Sequence, residues 1–307
     1  MNTIKVLTLN THSWVEIHQV HKIKLLADFI LDQDIDLIAL QEVNQNLISP
    51  TVPAPEGFFA LEDRPLRDNN FALLLTALLR QAGAHYQWTW AGAHLGWNIY
   101  DEGSSILSKQ PIQAGQHFQV SSQEYGYRDV FRRCALACQI KLASGPLWLV
   151  NVHMNWWHKQ NRYFFAEDFN RLNQRVRQLA DRGPLLLLGD FNVAAGPDSP
   201  GWQQMLELGW HDAFWHASKR QGEHTVQQAI SGWEENSLAK RIDYVLASGP
   251  VTFSNYRVVF DGQHEPAISD HAGVLVEIEA SQLSSAYTKT PCLAHNCPSG
   301  TDQKGQL

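Results

Sequence analysis

The chain has 307 residues, 44% of them apolar and 18% charged, a globular balance that excludes a disordered protein and can fill one large α/β enzyme. No stretch approaches the roughly 18 consecutive apolar residues of a membrane span, and Met-Asn-Thr-Ile-Lys is not the start of a signal peptide, so a cytoplasmic protein without membrane contact is expected. The net charge of −7 tilts the expected partner away from nucleic acid, whose backbone calls for a basic stripe; here Lys and Arg are scattered, and densest at Arg128, Arg132 and Arg133.

In chain order, IKVLTL is predicted as a strand and NTHSW as a loop. Ile23, Leu26, Ala27 and Ile30 then fall at i, i+3, i+4, i+7 on one helical face. DLIALQEV is a second buried strand with polar residues at its exit. Positions 46–68 read as a Pro-containing loop, and Phe71, Leu74, Leu75, Leu78 and Leu79 as an amphipathic helix. HYQWTW and GSSILS are predicted strands. So is the segment carrying Cys134 and Cys138 on one face, which makes them core residues.

The pattern then repeats. PLWLVNV is a strand and HMNWWHKQN a loop; Phe165, Phe169, Leu172, Val176 and Leu179 form a helical stripe, and PLLLLGDFN is a strand ending in polar residues. A helix over 201–208 and strands IDYVLA and AGVLVEIEA follow. The halves share a signature: Asn10-Thr11-His12 ends one strand and Asn151-Val152-His153 its counterpart. Two related strand–helix units predict two mixed sheets packed face to face with helices outside, a four-layer α-β-β-α sandwich. Residues 1–280 are expected to form this domain, and 281–307 a flexible polar tail. The tail's Cys292, His295 and Cys297 lack the second ligand pair of a zinc site.

Taken singly, each polar strand-end residue has a structural reading. Asn10 suits a turn cap, Glu42 a solvated strand-end acid, Asp190 and Asn192 a tight turn, Asp243 an ion pair with Arg241, and Asp270 and His271 the turn into the last strand. Together with His153 they place carboxylate, amide and imidazole at the edges of several core strands, a concentration of polarity that folding does not need. Oxygen ligands in small number suit Mg²⁺, which keeps several waters and takes carboxylates and phosphate for the rest.

LTLNTH, LIALQEV, EGSSILS, LVNVHM, LLLLGDFN, RIDYV and ISDH follow one another in the order typical of the endonuclease/exonuclease/phosphatase superfamily, which the chain resembles over about residues 3–279. The resemblance implies hydrolysis of a phosphate ester by water with Mg²⁺, for which Mn²⁺ is a possible substitute. It implies Glu42 as the principal metal ligand, with Asn10 beside it and Asp270 as a further metal-side or orienting carboxylate. Asp190 matches the group that activates water, Asn192 the one that orients phosphate or water, and His271 the phosphate-binding histidine, with Asp243 as its partner. His153 matches a second transition-state donor, with Glu102 as its expected partner. His12 replaces the tryptophan-asparagine ending of many nuclease members, and no role follows for it.

The segments YDEGSSILS, SGWEEN and KRIDYV resemble the bacterial subgroup that contains maltose 6′-phosphate phosphatase. With the acidic charge and the loop tryptophans Trp14, Trp97, Trp156, Trp157 and Trp233, this favours a small phosphorylated sugar, with Trp156 and Trp157 expected against the substrate. Core filling is the competing reading of those tryptophans. The rival activities are a DNA or RNA nuclease with a basic groove, and a non-catalytic binding module with a broken metal site.

Overall fold

The computed structural model describes residues 3–283, except 54, 160–161, 231–232 and 234–237. In chain order the elements are β1 (Thr3–Asn10), α1 (Gln19–Gln33), β2 (Leu37–Asn46), α2 (Phe71–Gln81), β3 (Gln87–Gly96), β4 (Tyr100–Ser108), β5 (Ile112–Gln119), β6 (Cys134–Leu142) and β7 (Gly145–His153). There follow β8 (His158–Lys159), β9 (Arg162–Tyr163), α3 (Phe165–Ala180), β10 (Leu185–Asp190), α4 (Pro200–Glu207), β11 (His211–Asp212), α5 (Ala213–His216), β12 (Arg220–Gln221), β13 (Asp243–Ala247), β14 (Phe253–Val259) and β15 (Gly273–Glu279).

Two mixed sheets carry the fold. One has seven strands in the order β12-β14-β15-β1-β2-β4-β3, the other six in the order β11-β13-β10-β7-β6-β5. The predicted pair of strand–helix units is real. β1 and β2 are parallel and connected through α1, β7 and β10 are parallel and connected through α3, and each pair has antiparallel neighbours on both sides. The predicted stripe of α1 is fully buried against the seven-stranded sheet, and that of α3 against the six-stranded one. Burial of each such Leu, Ile or Phe stabilises the fold by about 1.5–3 kcal/mol. A third cluster, with Val6, Leu136, Cys138, Leu188, Val245 and Val276, fills the space between the sheets. The result is the expected four-layer α-β-β-α sandwich.

Departures from the sequence reading are local. The sequence gives no clear strand signal for β5 and β14, because IQAGQHFQ carries few apolar residues and FSNYRVV shows neither strict alternation nor a continuous apolar run. The loop after His153 contains the short β8–β9 hairpin. Leu283, placed in the polar tail by composition, is fully buried between the sheets; residues 284–307, including Cys292, His295 and Cys297, lie outside the described residues. Among the described residues, no helix is long and apolar enough to cross a membrane.

Candidate active site

The polar strand ends meet at one edge of both sheets. In the six-stranded sheet Asp190 stands in register with His153 on one side and Asp243 on the other. Gly189 permits this: it has φ +136°, and a Cβ there would come within 1.9 Å of the Val152 carbonyl oxygen. In the seven-stranded sheet Asn10 ends β1, and Glu42 sits where the β2–β4 register shifts between Leu40 and Val43, with φ 49°. Such a bulge re-aims a side chain that strict alternation would place elsewhere. His271 lies in the turn before β15. Ser269 Oγ holds that turn, donating to the Asn10 carbonyl at 2.7 Å and accepting the His271 N–H at 3.2 Å.

Asp190 Oδ2 is the hub. It accepts Asn10 Nδ2–H at 3.1 Å and Asn192 Nδ2–H at 3.4 Å, and lies 3.6 Å from His153 Nε2 and 3.8 Å from His271 Nε2. Its other oxygen accepts the Asn192 N–H at 2.8 Å, so the turn reading of GDFN is also correct. Asn10 Nδ2 donates to Glu42 Oε1 of its own sheet at 2.9 Å as well, while its bond to Asp190 links the two sheets across the site.

Burial governs the electrostatics. It raises the pKa of Asp190, with Asp243 adding to the effect and His271 opposing it. Burial opposes the charged form of His271, but Asp243, bonded to Nδ1 at 2.9 Å, and Asp190 outweigh it and hold that pKa well above the usual histidine value. His153 is pushed well below the usual value, by burial first and then by Arg133. Glu42 is raised, chiefly by burial.

Other placements refine the sequence reading. Arg241 pairs with Asp212 at 2.8 Å, and Asp243 faces His271 instead. Glu102 Oε1 lies 3.8 Å from His153 Nδ1, close by but beyond hydrogen-bond range. Asp270 Oδ1 is 3.5 Å from His12 Nδ1, which also contacts Glu16 at 2.8 Å; these three form a half-buried cluster at the rim. Trp97, about half exposed, packs near His12 with ring centroids 6.3 Å apart. Trp233 Nε1 donates to Asn192 Oδ1 at 2.9 Å; the rest of SGWEEN lies outside the described residues. Trp156 packs against Arg133, Lys159 and Phe131, while Trp157 is anchored beside Phe165 in the α3 core.

Sequence reasoning missed Thr225, whose Oγ1 accepts the Ile242 and Asp243 N–H groups, and His94, whose Nε2 lies 3.5 Å from Glu102. Neither sits in a recognisable motif; the β3–β4 register, which sets His94 opposite Glu102, brings the latter pair together.

A model of the endonuclease/exonuclease/phosphatase family matches residues 18–271. The chain belongs to that family. An endonuclease/exonuclease/phosphatase family protein from Leptotrichia buccalis is 27% identical with a TM-score of 0.76, over 90% of this chain and 99% of its own. A mannosyl-6-phosphatase from Bacteroides thetaiotaomicron (18%, TM-score 0.63) covers 90% of this chain and 99% of its own length. Sphingomyelinase C from Streptomyces griseocarneus (17%, TM-score 0.62) covers 91% and 100%. At those identities the last two show the shared fold alone. No curated protein matches in sequence.

Endonuclease/exonuclease/phosphatase enzymes hydrolyse phosphate esters and are generally dependent on a divalent metal. The residues here fit such an ion. Glu42 Oε2 and Asp243 Oδ1 are buried with no hydrogen-bond partner, and the donors are hard oxygens. Asp190, Asp243 and His271 also lie close enough to share one ion. The bond from His271 to Asp243, and the proton the ring is held to carry, leave that imidazole poorly suited as a ligand.

Proposed function

We propose that the protein is a Mg²⁺-dependent phosphomonoesterase, with Mn²⁺ as substitute, that removes the terminal phosphate of a phosphorylated sugar. The observation that carries the reading is the convergence of Asn10, Asn192, His153 and His271 on one buried Asp190 oxygen, with an unpartnered Glu42 oxygen beside them. Glu42 and Asn10 would hold the ion, with Asp270 on the same side. When bound, it neutralises charge on the phosphate and the leaving oxygen.

The protein groups then have complementary tasks. Asp190, with a pKa raised toward neutrality by burial, accepts a proton from the attacking water, and Asn192 orients it. His271, kept protonated by Asp243, donates Nε2–H to a phosphate oxygen, and His153 faces the same point from β7. The P–O bond to water forms in line as the P–O bond to the sugar breaks, the departing sugar oxygen takes a proton from solvent, and no protein nucleophile takes part.

A small substrate is favoured over a polyanion. In the densest basic patch of the sequence Arg132 is committed to Gln119 and to the Ala93 carbonyl and Arg133 is buried, which leaves Arg128 exposed and makes no continuous rail for a nucleic-acid backbone. Trp97, about half exposed near His12, offers an apolar face for a sugar ring. The subgroup motifs YDEGSSILS, SGWEEN and KRIDYV point the same way.

The deciding experiment compares kcat/KM on maltose 6′-phosphate, glucose 6-phosphate and a single-stranded oligonucleotide with Mg²⁺ at moderate salt. Phosphate release from a sugar is expected to dominate. Efficient, salt-sensitive oligonucleotide cleavage with negligible release from sugars would replace this reading with a nuclease.

A further inference from the structure

Arg133 is 3% exposed, at the start of β6 beside the candidate site. Its Nε–H donates to Asn155 Oδ1 at 3.1 Å. Asn155 is itself locked, donating to the Asp168 carboxylate at 2.8 Å and to the Phe131 carbonyl at 2.9 Å. The guanidinium carbon lies 5.4 Å from the centre of the Trp156 ring. One edge and one face are thus held by protein. The other edge points at the site: Nη1 is 3.9 Å from Glu102 Oε1, too far for a hydrogen bond, and among the described residues neither Nη makes one.

A buried guanidinium with a free fork is costly unless an anion meets it. Glu102 is a weak counter-ion, because the same Oε1 also stands 3.5 Å from His94 and 3.8 Å from His153. The partner that suits the fork is a second anionic oxygen of the substrate, since guanidinium and phosphate match in two-point geometry. A phosphate monoester is dianionic near neutral pH and presents three terminal oxygens. A diester carries one charge and only two such oxygens.

We infer that Arg133, aimed past Glu102 from its seat on Asn155 and Trp156, is a specificity-determining residue that selects a terminal dianionic phosphate over a phosphodiester. The inference rests on the phosphomonoesterase reading and deepens it. It also gives Trp156 a place: the ring carries the arginine that meets the phosphate, and does not itself touch the sugar.

The test uses the full chain and two unreactive probes, methylphosphonate in its dianionic form, whose P–C bond cannot be hydrolysed, and dimethyl phosphate. Their Kd values are measured calorimetrically for the wild type, Arg133→Gln and Arg133→Lys, alongside kcat/KM on p-nitrophenyl phosphate and bis-p-nitrophenyl phosphate. Arg133→Gln is expected to weaken methylphosphonate binding roughly 30-fold, the scale of one lost charge-assisted pair. Dimethyl phosphate should change by less than about threefold, and the monoester-to-diester ratio of kcat/KM should fall in parallel. Arg133→Lys, which keeps the charge without the fork, should recover part of the discrimination; it also carries the test if Arg133→Gln does not fold. Equal weakening of both probes, or no change in either, overturns the role of Arg133. A wild type that itself prefers the diester overturns the phosphomonoesterase reading first, so the two failures are distinguishable.

Discussion

At the residue scale, the proposed mechanism asks most of Asp190, whose surroundings are set against its charge. Replacing it with Asn removes a carboxylate whose ionisation burial opposes, while keeping shape and one acceptor. Asp190→Asn is therefore expected to lower kcat by roughly 10²-fold or more with Tm unchanged or raised. His271→Ala should lower kcat by a similar factor of about 10². Because it leaves Asp243 buried without its partner, it should also lower Tm. Steady-state kinetics with thermal melts of both variants decide this; folded variants with near-normal kcat refute the assignment. These positions were legible because GDFN and SDH are compact motifs at strand edges. Arg133 and His94 were not, since their meaning depends on which strand lies opposite.

At the element scale, the repeated Asn-x-His ending shows how equal sequence takes unequal roles. Asn10 reaches Asp190 and Glu42 in the site, whereas Asn151 is spent on the seam between the sheets. It donates to the Leu40 and Ser105 carbonyls at 2.8 and 2.9 Å, and accepts from Gln41 at 2.6 Å. Asn151→Ala strands those buried groups and is expected to cost about 2–3 kcal/mol in urea unfolding; a loss under 0.5 kcal/mol would show that the seam does not depend on it. The same edge depends on close backbone approach. Gly189→Ala sets a Cβ against the Val152 carbonyl and should destabilise by about 3 kcal/mol, through strain that no side-chain rotamer relieves. The repeat is visible in the sequence, but the division of labour follows from the partner strand each Asn happens to face.

At the scale of the whole molecule, two sheets bring acidic groups together at one end, and a cation should relieve that repulsion. After EDTA treatment, added Mg²⁺ is expected to raise Tm as well as activity. Burial raises the folded pKa of Glu42 and Asp190 above their unfolded values. In the metal-free protein their contribution to stability is therefore present below the ordinary carboxylate range and lost as pH rises through the raised folded pKa. The ion competes with those protons, so its stabilisation should grow across the same window and be larger at about pH 8 than at about pH 5.5. A Tm gain independent of pH would count against carboxylate ligation. What the sequence by itself determined was the layered α/β architecture and which polar residues stand at the strand ends that meet in the candidate site, because apolar periodicity and short strand-end motifs are local properties of the chain. Only the tertiary structure decided that Glu42 turns inward at a bulge, that Asp243 answers His271 instead of Arg241, and that a buried arginine points its fork at the site. Each of these depends on strand register and burial, which link residues tens to hundreds of positions apart and leave no periodic trace in the sequence.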